Sequence, residues 1–384
     1  MPEGLKLDEN MLGKRFNYIE EVECNEEYCL IQGINKNGKT TVQRHDAQGF
    51  TDITPVDVYN VHAIGWNGSE WLLTATRRTT SAGDIKTVLG LYSYDGNTLT
   101  ELLRKKDAPA VGRVDSLGWN GNYWLIGLTM HPTTQRTGNL QPGLFRFNGG
   151  HLQPVSMPVE GLPGDVYMPT AIAWNGSAWL IALSGYKSPP VFLEYDGKAF
   201  HRVDAPAEAF SLPRPDRVLK PVKLSCNQKY CLLFLDNNRI VRFNGAFTRI
   251  NTTLEDNPLY AFDDAEWNGN YWLISYQVDP PSGGGFIVKY DGEEFKSLTE
   301  MPSNCVVGGM EWNGEYWLIG TNKLYCNRWA LMKYDGEKFY DLTGDFNEGM
   351  KSGPRKPEKG ICGPAVLLLL ALLPAAAFRR LWRK

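Results

Sequence analysis

Short apolar runs recur along the chain, and each is entered through the same turn signal. Trp71-Leu72-Leu73, Trp124-Leu125-Ile126 and Trp317-Leu318-Ile319 each complete a Trp-Asn-Gly-x-x-Trp hexapeptide, which begins at Trp66, Trp119, Trp174, Trp267 and Trp312. Asn-Gly between apolar residues is the strongest short hairpin signal, because both residues tolerate the positive φ of a tight turn. Two more copies, Cys24-Asn25-Glu26-Glu27-Tyr28-Cys29 and Cys226-Asn227-Gln228-Lys229-Tyr230-Cys231, keep the Asn and exchange both Trp for Cys. A double exchange in two separate repeats is expected if the side chains face each other across the hairpin, as a disulfide requires. The motif therefore predicts a cross-strand pair closing a four-residue loop, aromatic in five units and covalent in two. The two solutions are of similar strength, roughly 0.5 to 1.5 kcal/mol beyond burial for an aromatic pair and about 2 kcal/mol for so small a disulfide loop. A metal-binding pair is the other reading of these cysteines, but zinc pairs have tighter spacing and a second pair close by. No metal or other cofactor is expected.

A second turn follows each hexapeptide at a distance: Tyr94-Asp95-Gly96, Phe147-Asn148-Gly149, Tyr195-Asp196-Gly197, Phe243-Asn244-Gly245, Tyr290-Asp291-Gly292 and Tyr334-Asp335-Gly336. In the first unit a degenerate segment near Asp46 to Phe50 takes its place. Each unit thus reads strand, Asn-Gly turn, strand, longer connection, strand, Asp-Gly turn, strand. Four strands at a period of roughly 41 to 55 residues resemble the blades of a β-propeller. Seven units imply an all-β, seven-bladed propeller of four-stranded antiparallel blades, expected to be a monomer. This repeat reading overrides the two or three domains that 384 residues suggest. Ten of the 12 Trp belong to the five intact hexapeptides, leaving Trp329 and Trp382, so the tryptophans are mainly structural. A formal charge of −3 gives no electrostatic case for a nucleic-acid partner.

The ends differ from the repeats. Met1 to Asn10 lacks the apolar core of a signal peptide. The propeller is expected over residues 1–349, a polar Pro/Gly linker over 350–360, and a separate segment over 361–384. That segment runs Ile361-Cys362-Gly363-Pro364, an apolar stretch from Ala365 to Phe378, then Arg379, Arg380, Arg383 and Lys384. As a helix the apolar stretch would reach about 21 Å, short of the roughly 30 Å hydrocarbon core. Linker, Cys-Gly-Pro, short apolar helix and basic cluster together resemble the archaeal CGP-CTERM sorting signal of surface proteins in hyperthermophilic archaea. The resemblance implies processing and lipid attachment at Cys362, with the propeller on the outer face of the cell membrane. A simple tail anchor is the other reading, and under either the basic residues stay on the cytoplasmic side. The remaining cysteines fall into pairs, Cys24 with Cys29, Cys226 with Cys231 and Cys305 with Cys326, which fits an exterior compartment. The missing signal peptide is then explained by a truncated or misassigned start. Sequons at Asn67, Asn175 and Asn251 would accept glycans after export, although the first two are equally explained as turns.

The repeat grammar separates two faces. Both tight turns of each blade share one face, and the long connections, such as Thr76 to Lys86, Thr129 to Gly143 and Asp204 to Lys220, share the other. Function concentrates on variable loops held by a rigid scaffold, so the long-loop face is the expected site. Its candidate contact residues are Arg77, Arg78, His131, Arg136, Tyr167, Tyr186, Lys187, Arg214, Arg217, Asp263, Asp264, Arg328 and Trp329. None forms a motif, and each is equally a solvated loop residue. Five His without metal-type spacing, no Gly-x-Ser-x-Gly elbow and no phosphate-binding loop leave no catalytic residue to name. The Tyr-Asp-Gly turns superficially resemble the Asp-box hairpins of propeller glycosidases but lack the Ser or Thr two residues before the Asp. The sequence points to a non-catalytic module for a glycan, peptide or envelope protein, with a polysaccharide hydrolase using acidic channel residues as the alternative. An acidic cluster with raised pKa values in the channel would favour the enzyme, an exposed aromatic platform the lectin, and a large apolar patch a protein partner.

Overall fold

The computed structural model describes residues 18–342, apart from residue 36 and segments 82–83, 131–140, 159–167, 186–188, 207–209, 211–220, 236–238, 251–252, 255–256, 259–260, 278–284, 299–305 and 322–329. Seven four-stranded antiparallel sheets follow one another, each built from consecutive strands. Their first strands are Tyr18–Cys24, Val58–Trp66, Val111–Trp119, Met168–Trp174, Pro221–Cys226, Ala261–Trp267 and Val307–Trp312. These strands touch one another in order around a ring, and the seventh meets the first. The chain is a seven-bladed β-propeller with the first strand of each blade innermost, as the repeats predict. Because a blade buries both faces, its second strand is largely apolar, as in Trp179–Ser184 and Cys231–Leu235, where every residue is buried.

The hexapeptide forms the expected hairpin. Trp66 lies opposite Trp71, with ring centroids 5.0 Å apart, and the corresponding pairs range from 4.2 Å for Trp267/Trp272 to 5.5 Å for Trp312/Trp317. Cys24–Cys29 and Cys226–Cys231 are disulfides with Cα atoms 4.0 and 3.9 Å apart. Each occupies the position where strands approach most closely, a pair flanked by rather than sharing the ladder hydrogen bonds. The role of the Asn differs from expectation. Gly68 has a φ of 95°, but Asn67 is not among the described residues with positive φ. Instead Asn67 Oδ1 accepts hydrogen bonds from the N–H groups of Ser69 and Glu70, both 2.8 Å. The Asn is a side-chain cap on the loop, which explains why it survives where the Gly does not, at Glu26 and Gln228.

Blades are stapled to each other by the residue before the second Trp or Cys. Trp71 Nε1 donates to Tyr28 Oη of the preceding blade at 2.9 Å, Trp179 to Tyr123 at 3.0 Å and Trp317 to Tyr271 at 3.1 Å. The guanidinium groups of Arg44 and Arg146 stack 4.2 and 3.9 Å from the ring centroids of Tyr28 and Tyr123. Every donor of these buried indoles is thereby matched, as a buried Trp requires.

The ring closes without strand exchange among the described residues. Blade seven carries its own fourth strand, Phe339–Asp341, and blade one begins with Tyr18–Cys24, so the two ends meet only through packing. Ile19, Val22 and Ile31 pack on Leu318 and Leu331, and the close approach depends on glycine. A Cβ on Gly320 would lie 2.2 Å from Ile19 Cγ2, and one on Gly309 2.8 Å from Glu21 Cα. One expected loop is not a loop: Thr76 to Lys86 belongs to a hairpin of two 11-residue strands, Trp71–Ser81 and Asp84–Tyr94, paired as far as Ser81 and Asp84. The third disulfide expected from the sequence, between Cys305 and Cys326, is not one of the two described, because Cys305 and Cys326 both lie outside the described residues. The linker and the Cys362 segment lie outside them too.

Candidate functional site

The channel wall is built by one repeated irregularity. Each innermost strand slips register by one residue at the same place, four residues before its hexapeptide, with Glu20, His62, Asp115, Thr170, Val222, Asp263 and Gly308 as the extra residues. A β-bulge of this kind twists the strand and re-aims the side chains around it. The residue after the bulge reaches across to the next blade. Glu21 Oε2 accepts the Ile64 N–H at 3.0 Å, Ser116 Oγ donates to the Pro169 carbonyl at 3.0 Å, and Asp264 Oδ2 accepts the Met310 N–H at 2.8 Å.

On one side of the channel this geometry gathers charge. Lys223 of blade five places Nζ 2.6 Å from both Asp264 Oδ1 and Glu266 Oε1 of blade six. Lys223 and Glu266 keep 35% and 24% exposure, so the pair meets channel solvent while protein surrounds it. Glu266, Glu311 and Glu23 occupy the same position, immediately before the hexapeptide, in blades six, seven and one. Burial raises the pKa of all three, repulsion from the other acids of the cluster adds to it, and Lys223 pulls in the opposite direction. Glu21 is pushed up to about 8 by burial, against the pull of Lys223 and its hydrogen bond to Ile64. Burial works against the Lys223 ammonium, but Asp264 and Glu266 outweigh it and hold its pKa well above the usual lysine range. Among the described residues a single ammonium thus faces a surplus of carboxyl groups across blades six, seven and one.

The other side is more nearly balanced. Arg113 Nε donates to Asp115 Oδ1 at 2.6 Å, and Asp115 Oδ2 also accepts from Thr129 at 2.6 Å. His62 Nε2 sits 3.1 Å from Thr76 Oγ1, and burial, reinforced by the Arg113 charge, lowers its pKa to about 4. His62 is a neutral imidazole at physiological pH.

Of the sequence-derived candidates, Asp263 and Asp264 fall in this channel wall and the arginines of blade two do not. Arg77 is 1% exposed and is spent inside its blade, ion-paired with Glu101 and donating to the Leu89 and Leu103 carbonyls at 3.2 and 2.6 Å. Arg78 stacks 3.7 Å from the ring centroid of exposed Tyr59. Asp264 is committed by Lys223, by the Ala265 N–H at 2.9 Å and by Met310. His131, Arg136, Tyr167, Tyr186, Lys187, Arg214, Arg217, Arg328 and Trp329 lie outside the described residues. Sequence reasoning missed Glu21, Glu23, Lys223 and Glu311. A signal existed, because aligning the units on the hexapeptide sets Glu23, Glu266 and Glu311 against Gly65, Gly118, Ala173 and Ser225. Among the described residues no group of three or more His, Cys, Asp or Glu is arranged to hold a metal ion.

No protein-family profile matches the chain, and no curated protein matches it. Solved structures do. The β-propeller domain of the Trilobed protease from Pyrococcus furiosus, which has an open velcro topology, is 12% identical over 86% of this chain and 96% of its own, with a TM-score of 0.55. Acylaminoacyl peptidase from Pyrococcus horikoshii is 10% identical at a TM-score of 0.53 over 88% of this chain, which spans only 54% of the peptidase. The extracellular domain of a hybrid two-component system from B. thetaiotaomicron is 12% identical at 0.53, covering 83% of this chain and 38% of its own. At these identities the likeness establishes a propeller fold and nothing narrower.

Proposed function

We propose that this chain is a non-catalytic binding propeller, held outside the cell by its C-terminal segment, whose channel takes a basic segment of a peptide or neighbouring envelope protein. The observation that carries this reading is the charge imbalance around Lys223, where, among the described residues, Glu21, Glu23, Glu266 and Glu311 leave this side of the channel short of positive charge. A ligand cation would supply it, and by favouring the charged carboxylates would lower their pKa values again. The two disulfides suit an exterior compartment. The propellers of two peptidases and of an extracellular domain make such a module reasonable without assigning a ligand.

A hydrolase is the second reading, favoured by the raised pKa values, since a carboxyl still protonated near neutrality is what general acid catalysis needs. Against it, Asp264 has both oxygens engaged in holding blades five, six and seven together. Retention tests the two readings together. The full chain is incubated with oligolysine, with neutral polysaccharides and with both, following bound ligand and released reducing ends. Salt-sensitive retention of oligolysine that weakens in E23Q and E311Q supports the binding module. Release of reducing ends that disappears in the same variants makes the protein a hydrolase instead.

A further inference from the structure

The two disulfide blades leave space that the other blades fill. In five blades the first Trp of the hexapeptide, half-buried, lies over the second, as Trp66 lies over Trp71. In blades one and five both indoles are gone, and a cystine occupies a fraction of their volume. A cavity of about 780 Å³ opens beside Cys24 and one of about 630 Å³ beside Cys226. Each spans three blades, with the disulfide hairpin in the middle and one half-buried indole on either side: Trp312 and Trp66 around the first, Trp174 and Trp267 around the second. Both lie on the face of the tight turns, away from the long loops, three blades apart one way and four the other.

The polar lining is fixed in place. Asn25 Oδ1 accepts from the N–H groups of Glu27 and Tyr28 at 2.9 and 2.8 Å, and Asn227 Oδ1 from Lys229 and Tyr230, both at 2.8 Å. Asn313 and Asn175, on the neighbouring hairpins, are held the same way. Each side-chain carbonyl is spent on its own turn, which leaves the amide Nδ2 of an immobilised side chain to donate. Carboxylates stand close by, Glu26 and Asp95 at the first cavity and Asp291 at the second. Flat indoles flanked by rigid amide donors and carboxylate acceptors match the alternating apolar faces and hydroxyl edges of a pyranose ring. Cavities of this volume accept a ligand of one or two rings.

We propose that the cavities at Cys24–Cys29 and Cys226–Cys231 are twin glycan-binding sites, created where a Trp pair is replaced by a disulfide. Their near-opposite placement across the propeller axis lets one branched or repetitive glycan engage both, with the gain in avidity that a second tethered contact brings. The proposal is independent of the channel reading.

The test uses the full chain and tetrasaccharides of glucose, mannose and N-acetylglucosamine, with titration calorimetry for stoichiometry and tryptophan fluorescence to report on the flanking indoles. The expected result is saturable binding of one of these probes at two sites. The double variant C24W/C29W restores the pair that five blades already fold around, and should remove one site; C226W/C231W should remove the other, and the combination both. Should a double variant fail to fold, S69Y and Q228Y obstruct the exposed rims without touching the core and should each halve the stoichiometry. Binding that keeps two sites in the filled and rim-blocked variants overturns the proposal. So does the absence of binding to all three probes, or capture of oligoproline in their place, which would make these cavities peptide sites.

Discussion

Removing the Lys223 ammonium would leave Asp264 and Glu266 facing each other with no cation between them. Lys223→Met keeps the length of the side chain and discards the charge, so it isolates that effect. Breaking a buried ion pair costs about 3 to 5 kcal/mol, and the 35% exposure of Lys223 reduces this through solvent screening. Urea denaturation at pH 7 should show a loss of about 2 kcal/mol. The acids opposite behave in the reverse sense. Glu20, Glu21, Glu23, Glu266 and Glu311 have folded-state pKa values raised chiefly by burial. Their contribution to stability is therefore full below the ordinary glutamate range and is lost as pH rises through the folded values, about 8 for Glu21. His62, whose pKa is lowered to about 4, acts at the other end: its contribution is full above the ordinary histidine range and is lost as pH falls toward 4. Of the remaining charges of the wall, Lys223, Arg113, Asp115 and Asp264 are ion-paired. The melting temperature should accordingly peak near about pH 5 to 6 and decline toward pH 9. Glu311→Gln should flatten that decline and raise stability at pH 8 by about 1 kcal/mol, or about 2 °C in Tm. A profile unchanged by Glu311→Gln would mean that this carboxyl is not buried as a charge.

At the scale of the element, the hexapeptide hairpin owes its shape to the Asn side chain more than to the pairing residues at its base. Asn313→Ala removes two hydrogen bonds to the Glu315 and Tyr316 N–H groups, 3.1 and 2.8 Å, while leaving the Trp312/Trp317 pair in place. Because the loop is exposed and water can replace part of what is lost, the cost should be about 1 kcal/mol in thermal unfolding. Asn313→Asp keeps the acceptor and should recover most of it. The hairpins, their Trp and Cys pairs and the strand order were legible in the sequence, because each depends on residues within a few positions of one another. The double Trp-to-Cys exchange even gave the pairing partner. What escaped reading depends on a second strand or a second blade. The bulge at Glu20, Asp263 and their equivalents is a register difference that only the partner strand defines, and Tyr28 acts on an indole 43 residues away. Reading Asn-Gly as a positive-φ pair found the turn with the wrong mechanism. The Thr76 to Lys86 segment, rich in Thr and Arg and without apolar alternation, reads as loop because nothing local shows that Trp71–Ser81 and Asp84–Tyr94 extend each other.

For the whole molecule, ring closure decides where the propeller yields first. Six junctions between blades are spanned by the chain, whereas among the described residues blades seven and one are joined by packing of Ile19, Val22 and Ile31 against Leu318 and Leu331. The apolar cluster at the seam, Ile19, Val22, Cys29, Ile31, Leu318 and Leu331, is smaller than the one between blades five and six, so contact energy does not make the seam the firmer junction. The difference is in what opening releases. A junction bridged by a short linker gains little freedom when it parts, while the blade seven to blade one seam frees two ends connected only through the rest of the ring. Loop-closure entropy makes the seam easier to open by at most about 3 kcal/mol, taking a ring of roughly 300 residues against linkers of roughly 12. Native-state hydrogen exchange should therefore find the innermost strands Tyr18–Cys24 and Val307–Trp312 less protected than Val58–Trp66 or Val111–Trp119, which line the same channel. Gly320→Ala sharpens the comparison, because its Cβ would meet Ile19 Cγ2 at 2.2 Å and wedge the seam, while Gly65→Ala meets Trp124 Cζ3 at 2.6 Å across a junction spanned by the chain. Each should cost about 1 to 3 kcal/mol in global stability. Only Gly320→Ala should speed exchange selectively at the seam, whereas Gly65→Ala should lower protection across the ring as a whole. Equal protection of all innermost strands in both variants would show that packing at the seam compensates fully for the missing covalent link, and that the ring opens as one cooperative unit.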